Sequence, residues 1–230
     1  MLKRDHMLNI NPKRETVFIK MNKSVKPIAV LKSKEVYWFL NSQNIELPSC
    51  VTKWFDKYLV EFSPLQWKKI FTLSKSLTNN TKLIEFQFKI IHRVYASDSY
   101  VSNFDNTINK VCILCNVDNN IPHLFVDCIK VKMFWENLKT WLNTVEGKAI
   151  PVKTIDIIFG MITGSGKGIN FCILQAKWYI HLNKQKDLHV NFENFLCYLR
   201  GVFVIERQIA VNQKSIPYFN ATFQNVLNHL

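Results

Sequence analysis

The sequence is poor in the residues that interrupt structure and in the long apolar runs that cross membranes. Six glycines and seven prolines in 230 residues are too few for a low-complexity polymer. With 48% hydrophobic residues the chain is not intrinsically disordered and can bury a sizeable core. The longest apolar stretches, Ile155 to Thr163 and Phe195 to Ile205, are broken by Asp156 and Arg200. Neither approaches the ~20 uncharged residues of a bilayer span, so no membrane partner is expected. The stretch from Met1 to Asn11 contains Lys3, Arg4, Asp5 and His6 and no apolar segment of the kind a secretory signal needs, which predicts an intracellular chain. Catalytic signatures are missing too: there is no aromatic-x-Asp-Asp metal motif, no Ser/His/Asp order and no paired-carboxylate site. Gly164-Ser165-Gly166-Lys167-Gly168 fails as a phosphate loop. Met161 stands where the first glycine belongs, and Gly168 where a hydroxyl must reach magnesium. It reads as a flexible connector, and the chain is not expected to be an enzyme.

Acidic residues are also scarce, 17 against 30 basic, for a net charge of +13. Residues 1–35 carry nine basic and three acidic side chains, residues 36–150 thirteen and ten, and residues 151–230 eight and four. An excess of this size favours a polyanionic partner, RNA and/or DNA before a membrane surface. A coding bias toward AT-rich codons is the competing explanation, since 25 of the basic residues are lysine and the chain has 23 asparagines.

Periodicity predicts a mainly α fold with a little β structure at the N-terminus. Glu15 to Met21 alternates like a short strand, and Ile28 to Leu31 is a second candidate. From Ser33 the period becomes helical, over Lys34 to Leu40. Ser63-Pro64 is a strong helix start, with Leu65, Trp67, Ile70 and Phe71 on the apolar side. Lys82 to Tyr95 places Leu83, Phe86, Ile90 and Val94 on one stripe. A shorter helix follows Ser97 or Asp98, then one over about Ile129 to Leu142, two over Asn170 to Asn183 and Asn191 to Asn212, and a last one after Pro217. Asn143 to Pro151 is a polar break. These features divide the chain into a basic arm with short strands (1–32), a helical domain (33–145) and a helical tail (146–230).

The informative segment is Val111 to Cys128. Its spacing is Cys112-x2-Cys115-x7-His123-x4-Cys128. A two-residue gap lets a tight turn aim both thiolates at one ion, and three sulfurs with one imidazole complete a tetrahedron. That ligand set is typical of a closed structural zinc site, with no position left for a catalytic water. A redox pair would want a βαβ context, which is absent; buried structural cysteines are the blander alternative. Asn120 and Pro122 place His123 at a helix start. In an unbroken α-helix five residues rotate by roughly 500°, leaving His123 and Cys128 about 140° apart. The spacing therefore predicts a break between Leu124 and Cys128 and a fresh helix near Ile129. Cys50, Cys172 and Cys197 have no such neighbours and read as core residues.

The residues from Trp67 to Leu142 resemble the zinc-binding region at the C-terminal end of non-LTR (LINE-type) retrotransposon reverse transcriptases. The resemblance rests on Phe86-Gln87-Phe88-Lys89-Ile90-Ile91-His92-Arg93, Cys112 to Cys115, His123-Leu124-Phe125 to Cys128, and Phe134-Trp135. Glu35-Val36-Tyr37-Trp38 and Lys53-Trp54 look like the linker before that region, and Ala176-Lys177-Trp178-Tyr179-Ile180 like the family's tail helix. The acidic-Thr pair often found before the histidine is replaced by Asn119 to Ile121, and no polymerase motif is present. The resemblance implies helical hairpins around a small CCHC zinc knuckle (111–128), one structural Zn2+ held by Cys112, Cys115, His123 and Cys128, and contact with template RNA or target DNA beside a reverse transcriptase polymerase domain. A protein-interaction scaffold and a decayed retroelement fragment are the alternatives.

Lys68, Lys69, Lys89, Arg93, Lys110, Lys130 and Lys132 surround the cluster in sequence and are the candidate phosphate contacts. Arg93, ending the family-like helix, is the first candidate, either for phosphate or as an anchor to the zinc unit. The tryptophans at 54, 67, 135, 141 and 178 sit within apolar stripes and are expected in the core rather than stacked on bases.

Overall fold

A computed structural model describes residues 18–21, 24–37, 48–164, 166–186 and 189–230, which fall into two compact units, Met1–Pro48 and Ser49–Leu230. In the first, β1 (Phe18–Met21) and β2 (Ser24–Pro27) form an antiparallel hairpin with Phe18 opposite Pro27 and Met21 opposite Ser24. The second strand thus precedes the expected one, and Ile28–Val30 is a 3-10 turn instead. Pro27 gives the reason: without an N–H it cannot carry the ladder further. A helical turn spans 33–37. The expected strand residues 15–17, the helix residues 39–40 and Trp38 lie outside the described residues.

The second unit is mainly α, as expected. Its elements are α1 (Cys50–Tyr58), α2 (Pro64–Leu77), α3 (Thr81–Ile91), α4 (Asp98–Val101), a π-turn (His123–Asp127), α5 (Ile129–Glu146), α6 (Thr154–Phe159), α7 (Lys167–Gln185), α8 (Phe192–Asn212) and α9 (Ile216–Leu227). Local chemistry sets several starts. The Ser63 hydroxyl accepts from the Gln66 N–H (3.3 Å) while the Gln66 side chain accepts from the Ser63 N–H (2.8 Å), a reciprocal cap. Asn80 and Asn191 cap α3 and α8 through their side-chain oxygens.

The centre of the unit is α7, which packs against α2, α3, α6, α8 and α9. Every residue from Gly168 to Lys177 is buried, the pattern of a helix surrounded by protein rather than lying on a surface. Close packing reaches the backbone at Gly168, where a Cβ would meet the Thr222 carbonyl of α9 at 2.9 Å. Gly168 is therefore a packing residue in the first turn of α7 and not part of a flexible connector. Its buried polar groups are satisfied. The Asn170 amide exchanges two hydrogen bonds with the Met161 backbone (2.7 and 2.9 Å), and the Tyr198 hydroxyl donates to Gln175 (2.8 Å).

Two helices have no counterpart in the periodicity. The first, α1, has only nine residues, and it is held by Trp54, whose indole N–H donates to the Ile91 carbonyl (2.7 Å) and whose ring meets Phe159 edge-on (5.2 Å). In α6, six residues bury Ile157, Ile158 and Phe159. Conversely, α3 stops at Ile91, four residues before its expected end. Arg93 turns left-handed (φ 59°), with its N–H on the Ile90 carbonyl and the Val94 N–H on that of Lys89, a Schellman ending. Val94 falls beyond it and is 43% exposed.

Candidate metal centre

The site is assembled from two short pieces of backbone. In the first, Val111 and Asp118 form an isolated antiparallel bridge. The Cys112 N–H donates to the Val117 carbonyl (2.8 Å), and the Asn119 N–H to that of Lys110 (2.7 Å). Beyond the Cys112–Val117 rung the Asn116 N–H closes onto the Cys112 carbonyl (2.8 Å), with Asn116 left-handed at φ 53°, a conformation asparagine tolerates better than most residues. This tight reversal aims Cys112 and Cys115 the same way. Its base is fixed by the buried Asn119, whose amide donates to Asp98 (2.5 Å).

The second piece carries His123 and Cys128. As expected, the Asn120 side chain caps the turn, accepting from the His123 N–H (3.1 Å). The angular conflict between the two ligands is resolved differently from expectation. Residues 123–127 do not break but wind as a π-turn, and the Cys128 N–H donates to the His123 carbonyl (2.8 Å). Closing the ring at the fifth residue widens the turn and returns Cys128 to the face that His123 occupies. Cys128 itself is extended (ψ 135°), and α5 starts afresh at Ile129, where the spacing placed it. The π-turn is locked from beneath: Phe125 is fully buried, and its carbonyl accepts from the Trp135 indole N–H (2.6 Å).

The sulfurs of Cys112 and Cys115 each lie 3.9 Å from that of Cys128, and all four ligand atoms lie within 4.8 Å of one another. Tetrahedral coordination with bonds of about 2.3 Å spaces two sulfurs by about 3.8 Å. His123 Nε2 is buried and has no hydrogen-bond partner, an arrangement that is costly unless an acceptor of its lone pair occupies the gap. Burial opposes ionising the Cys112 thiol, but the adjacent His123 imidazole, the Cys115 and Leu114 amides and Cys128 outweigh it and bring it down to about 6. Cys128 is pushed the other way, by its own burial and by the neighbouring Cys112 charge. A bound cation relieves this competition, since each thiolate then faces the ion. The donor set and its spacing are compatible with one structural metal ion.

The remaining cysteines differ from one another. Cys172 is fully buried and burial pushes its thiol up; Cys50 is buried with its sulfur 3.8 Å from His92 Nδ1; Cys197 is exposed, contrary to expectation. Trp54, Trp67 and Trp135 are core residues as expected, while Trp141 and Trp178 are only partly covered.

The basic candidates are not equivalent. Lys68 and Lys69 lie exposed on α2, and Lys130 and Lys132 on the first turn of α5. Lys89 is exposed and pairs with Glu85 (2.7 Å), and Lys110 stands 3.9 Å from Asp118. Arg93 is half-buried: its guanidinium lies 4.7 Å over the Trp54 ring and donates to the Lys53 carbonyl (2.9 Å). Its observed partners are thus in α1, not in the metal loop. Two lysines outside the candidate set stand out. Lys177 is buried at the centre of the unit, donating to Gln87 (2.5 Å) and to the Ile158 carbonyl (2.9 Å), and burial brings its amine down to about 7. Lys184 of α7 pairs with Asp98 (2.8 Å). Lys177 had no sequence signal of burial beyond its position in an apolar helix. No protein-family model matches the sequence, and no curated protein is significantly similar to it.

Proposed function

We propose that this chain is a non-catalytic, zinc-stabilised nucleic-acid-binding module that serves a retrotransposon-type reverse transcriptase as an accessory to its polymerase domain. The carrying observation is the CCHC cluster, with sulfur spacings of 3.9 Å and an orphaned buried imidazole nitrogen. Zinc is favoured over other ions because it accepts three thiolates and one imidazole in a tetrahedron without a preferred d-electron geometry. Its role is structural: it holds the Cys112–Asn116 reversal against the start of α5. Two phrases on which the family resemblance rests also meet in the core, since Gln87 and Lys177 are bonded to each other. The net charge of +13 and the exposed lysines of α2 and α5 support a polyanionic partner.

The test combines metal analysis with binding. The purified chain is expected to carry one zinc per molecule and to bind unstructured RNA and DNA with an affinity that falls steeply with salt. Absence of bound zinc, or no salt-dependent binding to either polymer, overturns the reading. A scaffold for another protein is the second reading. It is favoured by the apolar tip of the metal loop, where Ile113 is 92% and Leu114 59% exposed, and it predicts retained metal with no nucleic-acid binding.

A further inference from the structure

A second feature lies on the far side of Lys184 from the metal loop. Helices α3 and α7, with Tyr95 and Ala96 between them in sequence, line an open cavity of about 370 Å³, within the range of small-ligand sites. Helical spacing explains its lining. Lys82, Phe86 and Lys89 recur at intervals of four and three on α3, and Trp178, His181 and Lys184 at intervals of three on α7, so each set shares one face. The floor is aromatic: Trp178 lies 5.1 Å from Phe86 and 4.9 Å from His181, centroid to centroid. Tyr95 fixes the imidazole through a 2.7 Å hydrogen bond to Nδ1. The rim is basic. Lys82 has no ion-pair partner among the described residues, while Lys89 pairs with the exposed Glu85 and Lys184 with Asp98. Glu85 is the single acid in the lining. The local field is positive enough that, after burial, Lys184 and Lys89 lower the affinity of His181 for a proton. Lys184 also lines the groove beside Cys112, Leu114 and Lys130, so the cavity and the metal loop share a wall.

We infer that this cavity receives one unpaired base of a single-stranded nucleic acid, stacked on Trp178 with the tilted His181 ring at its edge, and with the flanking phosphates held by Lys82, Lys89 and Lys184. The aromatic floor offers a face for a base but no donor set that reads its edge, so the site is indifferent to sequence. A duplex cannot insert a stacked base there and gains only the charge. The inference rests on the nucleic-acid reading above, and it adds strand state and location.

The test measures anisotropy of labelled oligo(U) and oligo(dT) and of a duplex of equal length, with the full zinc-loaded chain. Trp178→Ala is expected to weaken single-strand binding roughly tenfold and to leave duplex binding unchanged. Lys82→Glu, at an exposed position, is expected to weaken single-strand binding and lower its salt slope by about one. In case Trp178→Ala fails to fold, 4-thiouridine crosslinking to the unaltered chain is expected to label the α3–α7 cavity. Equal losses for single strand and duplex, or crosslinks confined to other surfaces, overturn the inference while leaving the broader reading intact. Displacement by free uridine monophosphate as effectively as by the oligomer marks a mononucleotide site and also overturns it. Absence of binding to all these polymers removes the broader reading as well.

Discussion

Lys177 sits 1% exposed with an amide oxygen and a backbone carbonyl for company and no carboxylate among its hydrogen-bond partners. Its amine falls from the ordinary 10.5 to about 7, so between those values the unfolded chain holds a proton that the folded one has released. Stability contributed through this group therefore rises with pH across that window, and the penalty is complete below about 7. Lys177→Met is expected to gain stability relative to the native protein at pH 6, and to lose roughly 2 kcal/mol of that advantage by pH 9. Paired denaturation curves at the two pH values check this, and a pH-independent difference would contradict it. Among the candidate metal ligands, His123→Ala and Cys128→Ser remove donors that are themselves buried. Each is expected to abolish stoichiometric zinc and to lower the thermal midpoint, measurable by metal analysis and calorimetry.

At the level of elements, the ends matter more than the middles. Arg93 adopts a left-handed conformation (φ 59°) that disfavours any side chain with a Cβ, and it is kept there by its contacts with Trp54 and the Lys53 carbonyl. Arg93→Ala is expected to cost about 1–2 kcal/mol by unfastening α1 from the end of α3. Gly168→Ala places a methyl group 2.9 Å from a backbone oxygen of α9 and is expected to cost about 1–3 kcal/mol. Chemical denaturation checks both. The capped start at Ser63-Pro64 was legible because the capping residue and its helix are adjacent in sequence; the side-chain caps of Asn80 and Asn191 were not singled out in the sequence and follow the same local chemistry. The π-turn was not legible. The conflict between His123 and Cys128 was visible as an angle, but a break and a wider winding both resolve it, and the buried Trp135–Phe125 contact, ten residues apart, favours the second. α1 and α6 have no periodic signature because a helix of six to nine residues is too short for its periodicity to register, and long-range packing stabilises it.

For the molecule as a whole, the helices before and after residue 146 share a single core. The metal loop contributes Ile121, Leu124 and Phe125 to it, and α7 contributes its full circumference. Removing residues 147–230 is therefore expected to leave 49–146 without a stable fold, as circular dichroism melts would show. No helix among the described residues is long and apolar enough to cross a membrane. Sequence alone determined the Cys112, Cys115, His123 and Cys128 cluster, the helical class and the excess of positive charge, because each depends on residue type and short spacing. The burial of Lys177, the tether of Arg93 and the meeting of Lys82 with Trp178 and Lys184 were decided by tertiary structure, since they join residues 40 to about 100 positions apart. Local periodicity assigns a face to a helix but does not say which other face it will meet.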